Sequence, residues 1–202
     1  MLKSLDGDSH VKTRLCQYEA YKNQKGMEIA KAFVTAKLEG QQQVLLKYGL
    51  QPHDLEKTEK LIDTIRSDDL VLVRRKLIHV EAEYSNHYFQ QIFQLFPEKL
   101  RPSNRKGFMA YDGLNNTFNL AYEILAWKVH RALIKAKLEP YLGFVHALVH
   151  ERPSLVCDFQ ELYRYLIDDF LIQYCKNSPR KTLQQNSLLH GLEAREWAKE
   201  ST

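Results

Sequence analysis

The sequence predicts an all-α protein, a multi-helix bundle, on three observations. Glycine (8) and proline (6) are scarce among 202 residues, which disfavours turn-rich β architectures. Apolar residues recur at three- and four-residue steps over most of the chain, the period of an amphipathic helix. No segment alternates apolar and polar residues as a half-buried strand does. At 44% apolar, the chain carries enough hydrophobic side chains for one well-buried core.

The elements follow in order. Residues 1–26 show weak periodicity and read as a loosely ordered lead, ahead of an α-helical domain over 27–202. The first long helix carries Met27, Ala30, Phe33, Val34, Val44, Leu45 and Tyr48, with Gly49 as its C-terminal stop. Pro52 opens a second helix, with Leu55, Leu61, Ile62 and Ile65. Ser67, Asp68 and Asp69 offer N-caps for a third, which runs towards Pro97 on a stripe of Val73, Leu77, Val80, Tyr84, Tyr88 and Ile92. Asp112 caps a fourth, reaching about Leu138, with Leu114, Phe118, Ala121, Leu125, Val129 and Leu133 inward. Pro153-Ser154 starts a fifth, carrying Leu155, Phe159, Leu162, Leu166 and Phe170. A polar linker over 177–186 precedes a last short amphipathic helix, Leu188–Trp197.

Composition narrows the function classes. No apolar run approaches membrane-spanning length and no signal-peptide pattern opens the chain, so it reads as soluble and cytoplasmic. Cys16, Cys157 and Cys175 share no zinc-like spacing and read as reduced, mostly buried thiols. The net charge of +4 is mild, but Lys99–Lys137 holds eight basic residues against Asp112 and Glu123. That local excess suits a phosphate backbone, and equally an ordinary solvated helix face.

Two places carry possible chemistry. At about 100° per residue, Glu81 falls within roughly 50° of the middle of the third helix's apolar stripe, whereas Glu83 points away. A carboxylate on the buried side needs a partner. Either it sits at the rim and pairs with a basic residue from a neighbouring helix, or it ligates a metal. Further on, Asp158 and Glu161 lie three apart on one flank of the fifth helix, with His146 on the segment leading into it. A histidine and two carboxylates near a helix start can form a hard-metal site, and His150 is an alternative ligand by spacing.

Three segments together resemble the CRISPR-associated Cas-one endonuclease/integrase family. Asp112-Gly-Leu-Asn115-Asn-Thr-Phe-Asn119-Leu-Ala-Tyr122-Glu-Ile-Leu125 is similar to its D-P-x-N-x-x-L-N-x-x-Y-x-x-L helix. Leu142-Gly143-Phe144-Val145-His146, followed by Arg152-Pro153-Ser154-Leu155-Val156-Cys157-Asp158, resembles its L-G-F-L-H … R-P-S-L-x-x-D segment. Glu81-Ala-Glu-Tyr-Ser-Asn-His-Tyr88-Phe89 looks like its E-G-x-A-A-R-x-Y-F helix, and Lys37-Leu38-Glu39-Gly40-Gln41 resembles its K-x-x-N-Q pattern. His79, Ala82, Asn86 and Gly40 depart from the family's usual residues, which bears on packing and DNA contacts.

The resemblance implies the family's helical catalytic domain, without the smaller β-rich domain that members carry before it. It implies a metal-dependent DNA endonuclease/integrase of spacer acquisition, cleaving and transferring phosphodiester bonds. The metal ligands by motif match are Glu81, His146 and Asp158, with Glu161 in a supporting catalytic role and magnesium or manganese as the ion. Implied partners are duplex or branched DNA, self-association and the second CRISPR adaptation protein. The alternative is a catalytically inactive helical DNA-binding or scaffold module of the same fold.

Overall fold

In the computed structural model, residues 7–177 are described. They form seven α-helices and one 3-10 turn, and no strand occurs among them. The expected helix over Leu188–Trp197 lies outside the described residues, as does most of the linker before it.

Part of the stretch expected as a lead, residues 1–26, is helical. Gly7–Tyr21 forms helix α1, which packs on the next helix. Gln17 ties it down: its amide donates to the Glu139 and Leu142 carbonyls and accepts the Glu139 N–H at 2.8 Å. This anchor is made by polar atoms, which hydrophobic periodicity cannot register.

Helix α2 (Gln24–Lys47) is capped by Asn23, whose side chain accepts the Lys25 N–H, and it ends just before Gly49, whose φ is +63°. Helix α3 (Leu55–Thr64) starts on an Asp54 cap rather than at Pro52, and Leu61 is exposed instead of inward. Helix α4 (Leu70–Phe93) uses Asp69 as its cap, and all six residues of its expected stripe are buried. A 3-10 turn (Glu98–Leu100) leads towards helix α5 (Gly113–Lys135), capped by Asp112 through the Asn115 N–H.

The fifth expected helix is two. Helix α6 (Ser154–Glu161) ends in a tight turn, where the Leu162 and Tyr163 amides donate to carbonyls three residues back, and helix α7 (Arg164–Asn177) begins anew. The break rotates the inward face. Leu166 and Phe170 are exposed, while Asp168, Leu171 and Ile172 are buried.

Helices α2 and α4 lie side by side as the most extensive helix pair, and α5 packs on α6 and α7. Two apolar clusters result. One gathers Leu38, Leu77, Tyr84, Phe144 and Leu155, the other Leu45, Tyr88, Phe118 and Ile172. At their junction runs a seam of charged and hydroxyl side chains, Lys37, Glu161, Arg164, Tyr122, Asp168 and Tyr88, linked partner to partner. In α2, Gly40 stands where a Cβ would come 2.4 Å from the Tyr165 ring, so close packing of α7 explains that departure from the family pattern.

Candidate metal centre

The turn that carries His146 is shaped by Asp158. From the first turns of α6, its carboxylate accepts the backbone N–H groups of Phe144, Val145 and His146, the last at 2.9 Å. It also accepts from His146 Nδ1 at 2.7 Å. A carboxylate takes only donors, so Nδ1 carries the proton and Nε2 is the nitrogen available for coordination. Gly143 lets this turn sit against α6, since a Cβ there would meet the Ser154 side chain at 2.7 Å. From the other side, Arg74 of α4, buried in an apolar stripe, donates to the Gly143 and Phe144 carbonyls and lies over the Tyr21 ring.

Glu81 is half-buried on the α4 face towards α2. It accepts from Ser85 Oγ at 2.7 Å and pairs with Lys37 Nζ. Lys37 reaches on to Glu161 Oε2 at 2.7 Å, while the other Glu161 oxygen meets Arg164 Nη1 at 2.7 Å. Burial alone pushes the Glu161 carboxyl up, but the Lys37 and Arg164 charges outweigh it and hold the group down at about 2. Lys37 is disfavoured by the same burial, and the Glu161 and Glu81 charges more than restore it, so its pKa is raised. Two carboxylates are thus joined by one ammonium.

Lys37, Glu81, His146, Asp158 and Glu161 all line one cavity of about 240 Å³, walled on its apolar side by Phe33, Val34, Ile78 and Val145. The sequence candidates therefore meet in one place, drawn from α4, the 143–146 turn and α6. Their surroundings differ from one another. Although Asp158 borders the cavity, its side chain is 0% exposed and both oxygens are held by donors of the protein. Glu161 is the second acid aimed at the shared centre. His150 is 92% exposed, with only Glu151 beside it, and takes no part. Among the described residues, no three His, Cys, Asp or Glu side chains are gathered closely enough to share an ion as they stand. Lys37 Nζ lies between Glu81 and Glu161, and the Asp158 oxygens are taken by N–H donors of the 144–146 turn.

Three residues here were given no part at the site by the sequence reading: Lys37, Arg164 and Arg74. Lys37 and Arg74 each had one legible sign, a cation on an inward helical face. Lys37 lies three residues after Val34 and one before the fully buried Leu38, and Arg74 sits beside Val73.

The basic stretch divides on inspection. Arg105 is turned inward, its guanidinium near the rings of Phe89, Phe118 and Tyr122 and bonded to Asn115 and Asn119. Arg101 donates to the Phe96 and Gln94 carbonyls. Lys128, Arg131, Lys135 and Lys137 stay exposed along and beyond the end of α5. The cysteines are free thiols, less buried than expected, with Cys16 exposed. No helix among the described residues is long and apolar enough to cross a membrane.

Comparison with known proteins fits this picture. The profile of the family described as CRISPR associated protein Cas1 matches residues 2–189. A CRISPR-associated endonuclease Cas1 of Archaeoglobus fulgidus is 31% identical over 201 residues, covering 87% of this chain and 58% of that protein. One from Thermus thermophilus is 29% identical, covering 85% and 50%. The chain thus spans about half the length of the curated relatives it matches. Among solved structures, a casposase bound to integration product aligns with TM-score 0.77 at 20% identity, over 92% of this chain and 60% of that one. A Cas1 protein of Thermotoga maritima aligns with TM-score 0.71 at 20% identity, over 83% and 53%. The helices and the order of the site motifs agree with a profile match over nearly the whole length, and the chain belongs to the CRISPR associated protein Cas1 family.

Proposed function

We propose that this chain is the helical catalytic part of a divalent-metal-dependent DNA endonuclease and integrase of CRISPR spacer acquisition, with Glu81, Glu161 and His146 as the ion's ligands. The observation that carries the proposal is the cation already lying between Glu81 and Glu161, at the wall of a cavity that His146 also lines. The residues fit magnesium or manganese: two carboxylates and one imidazole are a mixed oxygen and nitrogen set. Glu161 Oε2 adds a second sign. It is buried and paired with the Lys37 ammonium at 2.7 Å, so an ion taking that oxygen would take the place of a cation already there.

Held by Glu81, Glu161 and His146, a divalent ion would supply polarisation of a phosphodiester and stabilisation of the charge that develops during its displacement by water or a DNA 3′-hydroxyl. The chain's residues do the rest. Asp158 fixes the His146 ring and its tautomer, as outer carboxylates do for ligating histidines. Arg164 clamps one Glu161 oxygen, which leaves the other facing Lys37 and the cavity. Phe33, Ile78 and Val145 keep one wall dry, which strengthens the electrostatics inside. The motif-based ligand set of Glu81, His146 and Asp158 is therefore revised in one member: Asp158 acts by positioning and Glu161 by ligation.

DNA is the substrate under this reading, met by the exposed cations of α5. Self-association and a Cas2-type partner are suggested by the solved neighbours, among them a Cas6-RT-Cas1–Cas2 complex, TM-score 0.73. The test is cleavage of branched and duplex DNA with Mn²⁺ or Mg²⁺, before and after chelation, in wild type, Glu161→Gln and His146→Ala. Loss of cleavage in both variants is expected, and undiminished cleavage by Glu161→Gln would overturn the ligand assignment. A second reading, an inactive DNA-binding or scaffold module, draws on Lys37 already pairing with both acids. Failure of the wild type to bind Mn²⁺ would favour it.

A further inference from the structure

Lys37 is hard to explain as decoration. Its side chain is 12% exposed, and its ammonium contacts the two acids to which the proposed function assigns an ion. Apolar neighbours, Val34 and Leu38 on its own helix and Val145 across the cavity, offer it no other acceptor. A lysine ammonium is a compact point charge on a flexible four-carbon stem, able to leave a site without moving its helix. Charge determines whether ammonium and metal can share the site. Lys37 Nζ already contacts one oxygen of Glu81 and one of Glu161, the oxygens an ion held between these acids would need. A divalent cation placed beside an ammonium that stays would meet repulsion between like charges only a few ångströms apart in a half-buried space. Ammonium and ion therefore exclude one another.

We propose that Lys37 is a built-in counter-cation, which bridges Glu81 and Glu161 and holds them in place before metal binds, and is exchanged for the divalent ion when the site loads. This rests on the metal reading above and adds its control: Lys37 sets how tightly the site takes metal. In the unloaded protein it offsets the repulsion between two neighbouring carboxylates. On loading it must be displaced, and the apparent affinity falls by the strength of the contacts it gives up. An ammonium that merely buttressed the acids, remaining in place with metal bound, would have the opposite effect, because its removal would disorder the ligands.

The experiment is calorimetric titration of the full chain with Mn²⁺ in the absence of DNA, paired with thermal unfolding with and without the ion. Wild type is compared with Lys37→Met, Lys37→Gln, Lys37→Arg and Glu161→Gln. Lys37→Met should bind Mn²⁺ about tenfold tighter or more, the factor that one lost charge-assisted contact of about 1.4 kcal/mol corresponds to. Its metal-free form should melt below wild type and recover when Mn²⁺ is added. Lys37→Gln supplies the same comparison should the methionine variant not fold without metal. Lys37→Arg, which keeps the charge, should bind no tighter than wild type. Equal or weaker Mn²⁺ binding by both neutral variants would overturn the exchange while leaving the metal site standing, provided Glu161→Gln still loses affinity. Absence of Mn²⁺ binding in wild type and neutral variants alike would remove the metal reading itself, and the exchange with it.

Discussion

Replacing Asp158 by asparagine tests how the His146 turn is held. The carboxylate accepts four N–H groups: the amides of Phe144, Val145 and His146, and the His146 ring. Asparagine keeps the shape but offers one acceptor oxygen, and its amide nitrogen must face donors. One or two backbone N–H groups lose their partner, in a place where Phe144 is 5% exposed and Asp158 itself 1%. A buried donor left unsatisfied costs about 1–3 kcal/mol, and the charge assistance to the remaining bonds is also lost. We expect destabilisation of about 2–4 kcal/mol. With a urea m value of about 2 kcal/mol/M, the unfolding midpoint should fall by about 1–2 M. Amide hydrogen exchange should show the loss locally, with Phe144, Val145 and His146 exchanging faster relative to the helices. Mn²⁺ affinity should fall as well, because the imidazole is no longer held in one tautomer and orientation. A midpoint within about 0.2 M of wild type, with unchanged protection of those three amides, would refute the reasoning and return Asp158 to the ligand role its motif suggests.

Other outcomes are expected. In metal-free protein the stability profile should show two opposed acids: Glu161, held down at about 2, contributes stability above its ordinary 4.5 that is lost as the pH falls towards 2. Asp168 behaves in reverse: burial lifts it from 3.8 to about 6 against the pull of the Tyr122 and Tyr88 hydroxyls, so stability present below 3.8 is lost as the pH rises through about 6. That difference amounts to roughly 3 kcal/mol at 1.36 kcal/mol per pH unit, and urea midpoints of Asp168→Asn should lack the decline seen in wild type over this range. Changing Lys128, Arg131 and Lys135 together to alanine should weaken DNA binding and flatten its salt dependence by about 0.9 for each phosphate contact removed. An unchanged slope would move the DNA path off α5. Arg105→Ala should instead lower thermal stability, since it empties the aromatic cage, and a variant as stable as wild type would show that the cage is not needed.

Helix class and helix limits were legible because they rest on local physics. Asp69 and Asp112 cap α4 and α5 through amides two and three residues on, a signal contained in four adjacent residues. The α4 stripe repeats at the helical period, and its six side chains are buried as that period requires. The inward turn of Glu81 and the nearness of His146 to the α6 acids were legible for the same reason. Where local pattern and packing disagreed, the pattern failed. Leu162, Leu166 and Phe170 continue a helical stripe on paper, yet the chain turns after Glu161, and Leu166 and Phe170 face solvent.

The sequence by itself determined the all-α class and the acids and histidine that gather at the cavity, because each follows from neighbours along the chain or from motifs a few residues long. Only the tertiary structure decided what each of those residues faces. Asp158 and Glu161 are the same chemistry three positions apart on one short helix, but one faces a row of backbone N–H groups and the other faces Lys37 and Arg164. Lys37 lies 44 residues before Glu81 and Arg74 lies 69 before Gly143, so their pairings are set by how α2, α4 and α6 pack. An ion pair depends on distance in space, and nothing along the chain encodes which of many cations will stand within reach of a given carboxylate.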